Sequence, residues 1–158
     1  MIDQESTDVS FYGKSCNRLN SKNQVAIPKR FRAIVPEETL KRGFVLIKGE
    51  AQCLYMYTYQ MFKLVKNRVR SLAEETNDPE FFRCFMESAH QICLDSQSRF
   101  ILPADMEKAA GLKGKDILFI GNDDRIEIWE PTLRKDDPKS KTDNEELRKK
   151  HARRIFGL

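Results

Sequence analysis

The sequence predicts a strand-rich α+β fold made of two tandem repeats, each read as strand, polar turn, strand, short helix, strand, turn and strand. Two observations carry this reading. The segment Leu19-Asn20-Ser21-Lys22-Asn23-Gln24-Val25-Ala26-Ile27-Pro28 lines up, 75 positions on, with Leu94-Asp95-Ser96-Gln97-Ser98-Arg99-Phe100-Ile101-Leu102-Pro103. A strand pair then follows in each half: Phe44 to Ile47, Gly49 and Leu54 to Tyr57, matched by Ile117 to Ile120, Gly121 and Ile126 to Trp129. The offset there is 72, which places three extra residues in the first half, around Val35-Pro36-Glu37. Self-similarity of this kind marks a repeated supersecondary unit.

Each element has its local reason. Asn20 to Asn23 and Asp95 to Ser98 are rich in Asn, Asp and Ser, whose side chains bond to their own backbone and favour reversals. Pro28 and Pro103 fit a first helical position, where the missing N–H is not needed. Gly43 and Gly111 fit helix terminators. In the second half, Gly121-Asn122-Asp123-Asp124 reads as the turn of a hairpin. Between the halves, Met61, Leu64, Val65, Val69 and Leu72 mark one helical stripe, and Phe81, Phe82, Phe85 and Ala89 another; core is the simplest reading, a subunit interface the alternative. Asp78-Pro79 opens the second of these helices as N-cap and first residue. The expected organisation is a first repeat over 9–58, connecting helices over 59–88, a second repeat over 89–131, and a basic linker and helix over 132–158. That last helix, starting from Asp143, carries Arg148, Lys149, Lys150, Arg153 and Arg154. It reads as a soluble tail, with a phosphate-contacting arm as the alternative.

Composition narrows the function. No apolar run approaches the roughly 20 residues of a membrane span, and Asp3, Glu5 and Asp8 stand where a secretory leader is basic and then apolar. A cytoplasmic protein without a membrane partner is expected. Cys16, Cys53, Cys84 and Cys93 lack paired spacing and read as reduced thiols among apolar neighbours. The net charge of +4 is unevenly placed: Lys and Arg against Asp and Glu give 13 minus 9 over residues 1–78 and 15 minus 15 over residues 79–158. Lys14, Arg18, Lys22, Lys29, Arg30 and Arg32 form an acid-free stretch that ends at Glu37. Such a patch suits phosphate contacts, although a solvated face explains it equally well on charge alone.

Enzyme readings find little support. Cys84, His90 and Cys93 match no paired-ligand spacing, and the other histidine, His151, lies in the tail; no metal or other cofactor is expected. No glycine-rich phosphate loop is present. Asp123, Asp124 and Glu127 read as solvated residues of a hairpin turn and of a strand's outward face. Neither catalytic residues nor a small-molecule substrate are expected.

The paired turns and their surroundings also carry a resemblance. Leu94 to Pro103, Ala109-Ala110-Gly111-Leu112 and Gly121 to Trp129 resemble the second half of MraZ proteins, and Phe11-Tyr12-Gly13 with Leu19 to Pro28 resembles the start of the first half. The similarity covers roughly residues 11–131. It implies two AbrB-like swapped-hairpin repeats, a ring-shaped homo-oligomer, and binding of repeated short DNA elements upstream of division and cell-wall genes. A repressor associated with the nucleoid is the expected role. In the family each repeat carries a D-x-x-x-R turn whose arginine faces DNA; Asp95 and Arg99 hold those places here.

The physical logic fits double-stranded DNA as partner. A turn-opening Asp accepts backbone N–H groups and can pair with the Arg that closes the turn, fixing a planar fork suited to phosphate or to a guanine edge. The first repeat departs from the pattern, having Asn20 and Gln24 in those places, so that its turn has no central charge. Lys22, Lys14, Arg18, Lys29 and Arg30 are the candidates to compensate through phosphate contacts. Weaker or less base-selective DNA binding is therefore expected than from two intact pairs. The alternative is a degenerate AbrB-like protein-interaction or antitoxin-type module without specific DNA binding.

Overall fold

The computed structural model describes residues 9–136 and 144–157. Its centre is a six-stranded antiparallel sheet formed by β1 (Lys14–Arg18), β3 (Phe44–Lys48), β4 (Leu54–Thr58), β5 (His90–Ile92), β7 (Asp116–Asn122) and β8 (Arg125–Trp129), in the order β1-β7-β8-β4-β3-β5. A separate two-stranded ribbon pairs β2 (Gln24–Ala26) with β6 (Arg99–Ile101). The order reads the same from either end if each strand is exchanged for its counterpart in the other half. Thus β1 pairs with β7 and β5 with β3, so each half's first strand lies against the other half's hairpin. The hairpin β4 and β8 join at the middle, with Leu54 opposite Ile128 and Met56 opposite Ile126.

Alternation along the strands builds two apolar layers. Phe44, Leu46, Leu54 and Met56 point to one face, where they join Val25, Ile27, Phe31, Phe100, Leu102, Met106, Ile117, Phe119, Ile126 and Ile128 in the main core. The ribbon and the short helices α1 (Lys29–Arg32) and α5 (Ala104–Ala109) close that face through Phe31 and Met106. Val45, Ile47 and Tyr57 point to the other face, where a helical hairpin packs: α3 (Tyr59–Glu75) and α4 (Pro79–Ser88). The contact there is the stacked pair Phe62–Phe85, with ring centroids 5.9 Å apart. β3 is thus buried on both faces, which accounts for its continuous apolar run.

The helix ends follow the sequence closely. Thr58 and Asp78 accept the N–H groups of Met61 and Phe81, each at 3.2 Å, and cap α3 and α4. Gly43 follows α2 (Glu37–Arg42) at φ 84°, and a Cβ there would lie 2.1 Å from the Ile92 carbonyl oxygen, so only glycine lets the helix turn into β3 beside β5. Pro28 and Pro103 are not the first helical residues as expected but the caps before them, with ψ of 140° and 142°. Where the second half has α5, the first has both α1 and α2, which absorbs its extra length.

Four further expectations are corrected. The stripes on α3 and α4 are core only in part: Met61, Val65, Phe85 and Ala89 pack half-buried against the second apolar layer, whereas Leu72 and Phe81 are 47% and 42% exposed. One short hairpin against a sheet that is already covered on its other side has few side chains to bury. The thiols of Cys16, Cys84 and Cys93 are exposed, and only Cys53 is buried. The β7–β8 turn is two residues, Asp123-Asp124, since Gly121 and Asn122 belong to β7. Glu127 is buried, not solvated: it accepts from Trp129 Nε1 at 2.9 Å and Asn122 Nδ2 at 2.8 Å, and lies 3.2 Å from the Arg125 guanidinium.

Beyond Trp129, the region read as a linker begins as helix α6 (Pro131–Asp136), and residues 137–143 lie outside the described residues, as does Asp143 as a helix start. The basic end forms α7 (Asn144–Lys150) and α8 (Ala152–Phe156). Residues 1–8, including Asp3, Glu5 and Asp8, are likewise outside the described part.

Candidate nucleic-acid interface

The two repeated turns share one backbone design. In the second, the Asp95 N–H donates to the Arg99 carbonyl at 2.9 Å, and Ser98 N–H to the Asp95 carbonyl at 3.0 Å. In the first, Asn20 N–H donates to Gln24 at 2.9 Å, and Asn23 N–H to Asn20 at 3.1 Å. The third turn position is left-handed in both, Asn23 at φ 61° and Ser98 at φ 59°. Ser carries that conformation less comfortably than Asn, at a cost of roughly 1 kcal/mol.

Side chains reinforce the turns identically. Asp95 Oδ1 accepts the N–H groups of Gln97 and Arg99, both at 2.9 Å, and Asn20 Oδ1 accepts those of Lys22 and Gln24, also both at 2.9 Å. The second side-chain atom faces the closing residue. Asp95 Oδ2 takes Arg99 Nε at 2.9 Å; Asn20 Nδ2 donates to Gln24 Oε1 at 3.0 Å. With Oδ1 committed to the backbone, an Asn can offer residue 24 only its N–H₂, so that position needs an acceptor. Glutamine supplies it and arginine cannot. Asn20 and Gln24 are therefore a matched neutral replica of the Asp95–Arg99 pair.

The charged pair is held by orientation more than by strength. Its side chains are 34% and 32% exposed, and such a surface pair contributes about 0 to 1 kcal/mol. The backbone N–H of Arg99 is the foremost of the bonds that hold the Asp95 carboxyl below the usual carboxylate range. The anion fixes Arg99 through Nε, and among the described residues Nη1 and Nη2 make no hydrogen bond. The outer edge of the fork is thus presented, in one orientation, to whatever lies beyond the turn.

The remaining predicted residues separate into groups. Lys14 and Arg18 share the exposed face of edge strand β1, and Lys22 stands exposed in the first turn, four residues after Arg18. Lys29 is exposed on α1. Arg30 is drawn away to the sheet: its Nη1 donates to the Lys14 carbonyl at 2.6 Å, across Gly13, where a Cβ would stand 2.4 Å from that nitrogen. Among the described residues no three His, Cys, Asp or Glu side chains gather as a metal-binding set. His90 lies 2.8 Å from Asp105 instead. No helix among the described residues is long and apolar enough to cross a membrane.

Two residues stand beside the turns whose place there the sequence did not show: Arg32, read only as part of the basic stretch, and Glu107, not singled out at all. Arg32, on α1, donates from Nη1 to Ser98 Oγ at 3.2 Å, and Glu107, on α5, accepts from Asn23 Nδ2 at 2.9 Å. They occupy equivalent places, each four residues after the repeated proline and 75 apart. Each reaches across to the other half's turn because Ile27 N–H and Leu102 N–H bond to Ser98 and Asn23. The repeat offset was the available signal, and it pairs an arginine with a glutamate.

Fold and turns define a class, a β-rich scaffold whose outward chemistry is a pair of polar reversals on one ribbon. Comparison with known proteins narrows it. A family model described as "MraZ protein, putative antitoxin-like" matches residues 85–155. Among similar proteins, "Transcriptional regulator MraZ" of Clostridium tetani is 35% identical over 120 residues, which is 75% of this chain and 80% of that one. The protein of the same name from Acetivibrio thermocellus is 33% identical over 121 residues, 76% of this chain and 80% of its own. A Thermoanaerobacter relative, again so named, is 33% identical over 118 residues, 74% and 78% of the two chains. The chain belongs to the MraZ family.

Proposed function

We propose that the chain is a DNA-binding transcriptional regulator and not an enzyme, and that its Asp95–Arg99 turn is the element that meets the duplex. The observation that carries this is the clamp on Arg99. A guanidinium held through Nε by Asp95 Oδ2 at 2.9 Å keeps its other two nitrogens available for a phosphate or a guanine edge. The relatives' shared name, "Transcriptional regulator MraZ", supports the regulatory role. Lys22, Lys14, Arg18 and Lys29 supply further exposed cations, and Arg30 contributes less because it is tied to the Lys14 carbonyl. Asn20 and Gln24 keep the shape of a DNA-facing turn without its charge.

A homo-oligomer fits this reading. Leu72, Phe81 and Met86 leave apolar surface on the helical hairpin, and β1 and β5 end the sheet with unpaired edges. Several copies in a ring would present several second-half turns to recurring DNA elements and gain avidity from them. The proposed targets are short repeated elements in promoters of division and cell-wall genes, bound by a repressor in the cytoplasm at the nucleoid.

Gel-shift titration with duplex DNA from upstream of the protein's own gene tests the assignment. Arg99→Ala is expected to weaken binding and to reduce the salt slope by about 1, and Lys22→Ala to do so through phosphate alone. Unchanged affinity in both variants overturns it. Binding that is absent or insensitive to salt supports a protein-interaction module instead.

A further inference from the structure

The two turns of one subunit are alike in backbone but not in the charge that the opposite half brings to them. At the second turn, Arg32 places Nη1 3.2 Å from the hydroxyl of Ser98, the residue immediately before Arg99. No carboxylate pairs with Arg32 among the described residues, and its buried Nε has no hydrogen-bond partner. A guanidinium held only by a neutral hydroxyl is an uncompensated cation, and burial of its stem makes an external anion the natural counter-charge. At the first turn the equivalent residue is Glu107, whose Oε2 lies 2.9 Å from Asn23 Nδ2. No cation pairs with that carboxylate among the described residues.

We infer that Arg32 is a second phosphate-binding cation of the Asp95–Arg99 turn, and that Glu107 weakens the phosphate contact of Lys22 at the first turn, so that each subunit holds the duplex chiefly through its second turn. The inference rests on the DNA-binding reading above. The charged side chains bonded into the second turn are Asp95, Arg99 and Arg32, a net +1; the one bonded into the first is Glu107, a −1 set against the exposed cations Lys22 and Arg18. The Asp95 charge is already spent on Arg99 Nε and on two backbone N–H groups, which leaves Arg32 and the outer edge of Arg99 to face an anion together. Two guanidinium groups, Arg99 in the turn and Arg32 from α1 on the preceding Ser98, suit successive or shared oxygens of a backbone phosphate.

The asymmetry has a consequence for the DNA site. A subunit with two competent turns spans two contact points, whereas one with a single competent turn needs a neighbouring copy to supply the next.

The test is fluorescence anisotropy of the full-length protein on a short mixed-sequence duplex, over a series of salt concentrations, for wild type, Arg99→Gln, Arg32→Gln, Arg32→Lys and Glu107→Gln. Expected are a slope lower by about 1 for Arg99→Gln and again for Arg32→Gln, near-wild-type behaviour for Arg32→Lys, and tighter, more salt-dependent binding for Glu107→Gln. The glutamine at 107 keeps an acceptor for Asn23, and Arg32→Lys keeps the charge if Arg32→Gln fails to fold. If Arg99→Gln weakens binding while Arg32→Gln and Glu107→Gln leave affinity and slope at wild-type values or shift them the opposite way, or while Glu107→Gln alone does so where Arg32→Gln does not fold, this inference is overturned and the DNA reading stands. If Arg99→Gln is also silent, both fall.

Discussion

The neutral turn can be rebuilt as a charged one, and the geometry sets what that should do. Asn20→Asp together with Gln24→Arg reproduces the atoms of the second turn at positions where the distances already agree, 3.0 Å for the neutral pair and 2.9 Å for the charged one. The single changes should behave worse than the pair. Gln24→Arg alone sets a guanidinium N–H against Asn20 Nδ2, donor to donor, because Asn20 Oδ1 already serves two backbone groups. The double change restores the bond, so stability should show a favourable coupling of about 0.5 to 1 kcal/mol in a double-mutant cycle of thermal unfolding. Net charge does not change, one added acid offsetting one added base, so a gain in DNA binding cannot come from bulk charge. Each added phosphate contact steepens the salt slope by about 0.9, so a fourfold change in salt alters the variant-to-wild-type affinity ratio by about 3.5-fold. The gain should be larger still in a Glu107→Gln background. Anisotropy titration of the folded double variant is the assay. A double variant with native stability but wild-type affinity and slope in both backgrounds would refute the reasoning.

Other consequences can be checked alongside. Glu127→Ala leaves the Trp129 indole N–H and the Arg125 guanidinium without their buried acceptor and should cost about 3–5 kcal/mol in denaturant unfolding; Glu127→Gln, which keeps an acceptor for Trp129, should cost clearly less. Gly43→Ala should lose at least about 2 kcal/mol, from left-handed strain plus the clash with the Ile92 carbonyl; a melting temperature equal to wild type contradicts the account of that junction. Burial pushes the Cys53 thiol up to about 12, whereas Cys16, Cys84 and Cys93 are exposed. Native protein should therefore react fastest with a disulfide reagent at Cys16 and Cys93, more slowly at Cys84, whose thiol is pushed up by desolvation and the neighbouring Glu80 carboxylate, and at Cys53 only on unfolding. Bonds from Arg99 and Gln97 hold the Asp95 carboxyl low, so its contribution is present at neutral pH, above the unfolded-state value, and is lost as the pH falls through the lower folded value. Carboxyl-carbon NMR should place its midpoint below that of an unstructured aspartate; a midpoint at or above that value contradicts the clamp.

Much of the fold was legible because its signals are local. The alternation of β8, the cap at Asp78, and the repeated turns need only neighbours in sequence. What was not legible depends on pairing between halves. Glu127 sits on a strand where alternation predicts an outward side chain, yet Trp129, Asn122 and Arg125 enclose it with partners, and a satisfied carboxylate can be buried. The stripes of α3 and α4 read as core by spacing alone, but one face of β3 and β4 takes only their nearer part, Met61, Val65, Phe85 and Ala89, and leaves Leu72 and Phe81 exposed. The site shows the same division. Asp95 and Arg99 are four residues apart and readable as a unit, whereas Arg32 and Glu107 reach turns 66 and 84 residues away in sequence, through a ribbon that exists only once β2 meets β6.

The most direct measurement is a crystal structure of the protein bound to a duplex from upstream of its own gene. The account predicts Nη1 and Nη2 of Arg99 within hydrogen-bond distance of a phosphate or a guanine edge, with the Nε bond to Asp95 retained. A bound duplex that leaves the 95–99 turn facing solvent or buried in a neighbouring subunit would contradict it.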